Sequence, residues 1–120
     1  NAEVAMNFYA STFADAQIVE LTRFGKDDHG EEGKVLNGLL NIKGQQLMFM
    51  DLPKEHAPQF SWAISLLIEC ADEEEFDALF DKLSTDGVVM MGPEAMPQYN
   101  IKKATWVTDK FGVTWQLVWQ

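Results

Sequence analysis

The residues able to do chemistry are few and scattered. His29 and His56 stand in polar segments with different neighbours and share no helix or strand face, so they form no pair able to ligate a metal or relay a proton. Both read as solvent-exposed loop residues. The acids Asp72, Glu73, Glu74, Glu75 and Asp77 are dense enough to suggest a cation site, but they open a helix whose N-terminal dipole favours carboxylates, and a solvated first turn accounts for them. Asp109-Lys110-Phe111-Gly112 has the letters of a kinase metal-binding turn, yet no glycine-rich phosphate loop accompanies it. Between two short strands it reads as a hairpin turn. Cys70 is the single cysteine, ends an apolar run, and suits a small buried hydrophobe better than a reactive thiol. Met48, Met50, Met90, Met91 and Met96 could adapt to an apolar ligand, but filling core gaps or lying in surface loops is the better reading.

The elements that position these groups follow from periodicity. Asn1 can cap a helix over about 2–13, in which Ala5, Phe8, Tyr9 and Phe13 recur at spacings of three and four. Residues 16–24, with Ile18, Val19, Leu21, Thr22 and Phe24, favour a strand, and 25–33 carry no apolar period and form a solvated loop. Alternation over 35–42, a turn near Gly44 and the run 47–50 predict a hairpin. A strand is expected over 61–70, with Trp62, Ile64, Leu66 and Ile68 on its packed face. Asp72 and Glu75 then form a capping-box-like pair, Phe76, Leu79, Phe80 and Leu83 line one helix face, and Gly87 stops the helix. Residues 88–91 read as a short strand and 92–103, with Pro93 and Pro97, as a long loop. The chain ends in a second hairpin, 104–108 and 113–119, turning at Asp109 to Gly112.

Helix, strand and hairpin therefore occur twice, with similar spacing from Asn1 to Gly44 and from Asp72 to Gly112. A strand before Asn1, as 61–70 precedes Asp72, would make both halves βαβββ, and that first strand is expected to be missing from this chain. The length of 120 residues with 47% hydrophobic content predicts one domain, 1–120, made of a first module (1–52) and a second (61–120). The net charge of −10 repels polyphosphate and anionic headgroups, which argues against nucleic-acid and membrane-surface partners. No apolar stretch approaches the ~20 residues that span a bilayer, and no signal-peptide pattern opens the chain, so a cytoplasmic location is expected.

Three segments carry a family resemblance: Ala2-Glu3-Val4-Ala5-Met6-Asn7-Phe8-Tyr9, Ser65 to Cys70 leading into Glu74-Glu75-Phe76-Asp77, and Asp109-Lys110-Phe111-Gly112-Val113-Thr114-Trp115-Gln116. Together, and over nearly the whole chain, they resemble the PhnB-like branch of the glyoxalase/bleomycin-resistance/dioxygenase (vicinal oxygen chelate) superfamily. The resemblance implies an α+β fold of paired βαβββ modules, a curved mixed sheet around a small-molecule cavity, helices outside, and a homodimer. Members have also carried the label 3-demethylubiquinone-9 3-methyltransferase. A conventional methyltransferase places its cofactor on an open parallel sheet behind a glycine-rich turn, and the sequence has neither pattern, so that label reads as inherited.

The superfamily typically holds a divalent cation with His and Glu ligands from several strands. At corresponding places this chain has Ser65 and Gln116, weak neutral donors, so no metal and no other cofactor is expected. Strand alternation separately turns Ser65 and Gln116 toward one cavity with Thr114 and Ala63, with Asp51 near its rim and Trp106 as a wall. That set can orient a ligand but holds no general base or nucleophile pair, so whether any reaction is catalysed stays open. The favoured reading is a metal-free small-molecule-binding protein of unassigned activity. Its rivals are a divalent-metal lyase, isomerase or dioxygenase drawing on Asp51 or Glu69, and a structural or partner-binding module with a filled core.

Overall fold

A computed structural model describes residues 1–120. The chain divides into two compact units, 1–58 and 59–120. The first holds helix α1 (Ala2–Thr12) and strands β1 (Ala16–Arg23), β2 (Val35–Ile42) and β3 (Gln45–Phe49) in an antiparallel sheet of order β1-β2-β3. Helix α1 buries Ala5, Met6 and Tyr9, and Phe13 follows them into the core beside Val35, Leu40 and Ile42. Met6 fits because β2 has Gly38, where a Cβ would stand 2.5 Å from the Met6 sulfur. The β2–β3 hairpin turns through Lys43 (φ 50) and Gly44 (φ 86), the paired positive φ values of a tight two-residue turn.

The second unit contains β4 (Leu66–Cys70), α2 (Glu73–Ser84), β5 (Val88–Met96), a 3-10 turn at Pro97–Tyr99, β6 (Ile101–Thr108) and β7 (Thr114–Trp119). Its sheet order is β4-β7-β6-β5, with β4 parallel to β7 and the other pairs antiparallel. This is the expected βαβββ unit, and the first unit repeats its αβββ part. Helix α2 starts as its sequence predicts: Asp72 Oδ1 accepts from Glu75 N–H at 2.8 Å, and Glu75 Oε1 accepts from Ala71 N–H at 2.7 Å. Phe76, Leu79 and Leu83 are buried with Ile68, Thr105, Val107, Trp115 and Leu117. Lys103 on β6 clasps the helix through Asp77 (2.7 Å) and Glu73 (3.0 Å), and those carboxylates hold its ammonium above the ordinary lysine value.

Four expectations need correction. The strand expected over 61–70 begins only at Leu66, and Trp62 and Ile64 are 60% and 77% exposed rather than packed. The reason is partner length: Leu66 pairs with Trp115, β7 begins at Thr114, and the turn before it offers no ladder to residues 61–65. The loop expected over 92–103 is mostly strand, because β5 is an edge strand where a proline N–H is not missed, and three register shifts absorb Gly92 and Pro93. Asn1 makes no side-chain cap; Asp51 supplies the acceptor for α1 from far along the chain. Lastly, the left-handed residue after α2 is Asp86 (φ 59), and Gly87 serves a different purpose, a close approach of backbone to backbone.

Candidate functional site

The sheet of the second unit has two unlike faces. One carries Ile68, Cys70, Thr105, Val107, Trp115 and Leu117, all buried, and the Lys103 clasp places α2 on that side. The opposite face carries no helix of this unit, and the strand registers lay its side chains out in rows. One row runs Met91, Trp106, Gln116, Leu67 across β5, β6, β7 and β4. The next is Glu94, Ala104, Val118, Glu69, and on the other side Val88, Thr108 and Thr114 lie level with Ser65, the residue before β4.

Ser65 and Gln116 are brought together: Gln116 Nε2 donates to Ser65 Oγ at 2.9 Å, and both are half-buried. Trp106 stands directly opposite Gln116 in the β6–β7 ladder. Its indole Nε1 is buried and meets no acceptor of the protein. Trp62 contacts it edge to face, with centroids 5.6 Å apart and planes at 76°. Thr114 lies on the same face, but it is buried and its hydroxyl is 2.8 Å from that of Thr108, which bonds onward to the Met90 sulfur at 3.1 Å. A closed hydroxyl pair has little to offer a ligand. Ala63 is exposed in the turn before β4, its N–H donating to Ser61 Oγ at 3.1 Å.

As a metal site this set does not fit. A hydroxyl and a carboxamide already bonded to each other bring no negative charge and no imidazole to a divalent cation. No group of three or more His, Cys, Asp or Glu side chains anywhere in the structure is arranged to hold one.

Asp51 belongs to the first unit, where it lines a hollow of about 310 Å³ with Asn1, Glu3, Val4, Asn7 and Lys34. Both carboxylate oxygens are engaged: Oδ1 accepts from the nitrogens of Asn1 and Ala2 at 3.0 Å each, and Oδ2 from Val35 N–H at 2.9 Å. Asp51 thus ties the start of α1 to the start of β2. Burial pushes its carboxyl upward, but the Val35 and Ala2 N–H groups and the Asn1 amine outweigh that and hold it below the ordinary carboxylate value. A depressed carboxylate contributes stability that is complete above its unfolded pKa and is lost as pH falls through the folded one. Asp51→Asn should therefore cost about 1–2 kcal/mol at neutral pH. Below about pH 4 its acid unfolding curve should be flatter than the parent's. Equal slopes in urea titrations across that range would refute the assignment.

The Trp62–Trp106 contact is not legible in the sequence, because alternation over 61–70 sets Trp62 on the packed face of a strand that begins only at Leu66. The row Met91-Trp106-Gln116-Leu67 depends on a register that alternation alone leaves undetermined, since a bulge between Val89 and Met91 shifts one strand.

The same architecture occurs in solved structures. The PhnB protein of Bacillus cereus is 39% identical and superposes with a TM-score of 0.88 over 99% of this chain and 91% of its own. A protein from Pseudomonas aeruginosa reaches 0.85 at 20% identity, covering 100% and 90% of the two chains. A glyoxalase/bleomycin resistance protein/dioxygenase superfamily member from Sphaerobacter thermophilus reaches 0.55, also at 20% identity, covering 100% and 89%. These two show a shared fold. Among curated proteins none matches significantly. The family described as 3-demethylubiquinone-9 3-methyltransferase matches residues 1–118, and with the Bacillus likeness this places the chain in that PhnB-like family, on a glyoxalase/bleomycin-resistance superfamily fold.

Proposed function

We propose that this chain is a small-molecule-binding protein that takes its ligand, without a metal, on the helix-free face of the second unit's sheet. The observation that carries the reading is the Ser65–Gln116 hydrogen bond beside the buried indole N–H of Trp106, with Met91 and Leu67 completing the row of Trp106 and Gln116. Hydroxyl, amide and indole groups orient a ligand, and none of them is a general base or an activated nucleophile. The two units act in this reading as one domain. The methyltransferase activity in the family's name is not part of it, because the sheet has a single parallel pair, β4 with β7, in place of an open parallel sheet behind a glycine-rich turn. A homodimer is part of it, supported by Phe60 and Ile64, exposed large apolar residues close together before β4. No helix is long and apolar enough to cross a membrane.

Native mass spectrometry of the purified protein tests these points together. The expected spectrum shows a dimer, no stoichiometric divalent metal, and an adduct of a small organic molecule either retained or restored by soaking in uncharged aromatic compounds. One equivalent of metal that disappears in Glu69→Ala would replace this reading with a metal-dependent enzyme. A monomer at tens of micromolar, the rough range for stable interfaces, would remove the dimer, and the absence of any adduct would remove the binding function.

A further inference from the structure

Two buried side-chain polar atoms lack a partner in the protein, Asn41 Oδ1 in the first unit and the indole Nε1 of Trp106 in the second, and only the second is a donor on the helix-free face. A buried N–H without an acceptor is costly, and most buried Trp side chains find a partner. Trp106 sits at the centre of the open face, with Gln116 on one side, Met91 on the other, and the Trp62 ring against it. Trp62 is on the irregular segment before β4, outside every ladder, so its ring can shift without breaking strand pairing. The three rows of this face hold two carboxylates, Glu69 and Glu94, and no Lys, Arg or His, and Lys102, one row beyond them on β6, is engaged over the Trp119 ring at 4.9 Å. An anionic ligand would be repelled there, and a flat apolar one has an indole wall and a methionine to rest on.

Building on the binding function proposed above, we infer that Trp106 Nε1 is the donor that selects the ligand: an uncharged aromatic molecule whose carbonyl oxygen accepts from that N–H while its ring lies between Trp106 and a displaced Trp62. Gln116, tethered by Ser65, borders the same ring edge and fixes the ligand's direction along the row.

Three matched probes test this by titration into the intact protein, followed through its indole N–H resonances: 2-acetylnaphthalene, 2-ethylnaphthalene and 2-naphthoate. The expected result is that the acetyl compound binds about 3- to 10-fold more tightly than the ethyl compound, the worth of one neutral hydrogen bond. It should also move the Trp106 indole proton downfield, and naphthoate should bind more weakly than either. Trp106→Phe should bring the acetyl and ethyl compounds to equal affinity. If that variant folds poorly, the resonance shift in the unaltered protein decides alone. Equal affinities with an unmoved Trp106 resonance, or tighter binding of naphthoate, would overturn the inference and leave the binding function standing. Failure of all three probes to bind would overturn both.

Discussion

Asp109→Ala is expected to destabilise the protein by about 3–5 kcal/mol, more than any loss of a surface charge. Asp109 is only 3% exposed, and its carboxylate accepts three hydrogen bonds: Oδ1 takes the N–H groups of Phe111 (2.9 Å) and Val113 (3.1 Å), and Oδ2 takes the indole Nε1 of Trp115 (2.9 Å). The first two close the β6–β7 turn, with Asp109 N–H donating to Val113 O at 2.8 Å and Gly112 N–H to Asp109 O at 3.0 Å. The third anchors the largest fully buried side chain of the unit. Truncation leaves a buried indole donor and two turn donors without acceptors, each costing about 1–3 kcal/mol. Asp109→Asn keeps the oxygen for the turn but sets an amide N–H against the indole N–H, so about 2 kcal/mol should be lost. In the Trp115→Phe background that clash is gone, and the Asp109→Asn cost should shrink. Chemical denaturation of the four proteins closes the cycle. Additive costs would show that the two side chains do not act through this bond.

The second large effect separates two neighbouring residues whose roles are easily confused. A Cβ on Gly87 would lie 2.3 Å from Thr108 O, 3.0 Å from Leu83 O and 3.1 Å from the Asp109 Cα, all backbone atoms that cannot swing away. Gly87→Ala should therefore pry the end of α2 from the β6–β7 turn, at a cost of about 3 kcal/mol or more. Asp86 carries the left-handed conformation (φ 59), so Asp86→Gly should be neutral or stabilising by up to about 1 kcal/mol. Thermal unfolding of both variants checks the contrast. A tolerated Gly87→Ala would show that the backbone approach there is not tight, and a costly Asp86→Gly would show that the aspartate side chain, rather than its left-handed backbone, matters at that position.

Much of the fold was legible because the signals were local. The Asp72–Glu75 box, the 3.6-residue stripe of Phe76, Leu79 and Leu83, and the alternation of Trp115 and Leu117 with Gln116 and Val118 each follow from residues within one turn or one strand of each other. The motif Asp109 to Gln116 could be recognised as a turn and as a family mark, but its chemistry could not be assigned, since a carboxylate in a turn is ordinarily solvated and only the packed sheet shows it buried against Trp115. The same holds for Asp51. Expected near a ligand, it spends both oxygens on three nitrogens that arrive from the start of α1 and the start of β2.

Local order along the chain accounts for the succession of elements, the repeat of helix and three strands, and the inward faces of α2 and β7. These depend on periods of 2.0 and 3.6 residues and on short-range caps, which a chain carries in its own order. Where strands begin and stop, and what lies opposite them, comes from packing. β4 begins only where β7 offers it a ladder, which frees Trp62 to meet Trp106, and β5 keeps its proline because no strand lies beyond it. Those outcomes depend on the length and register of a partner strand far away in sequence, and neither quantity is encoded in the segment that obeys it.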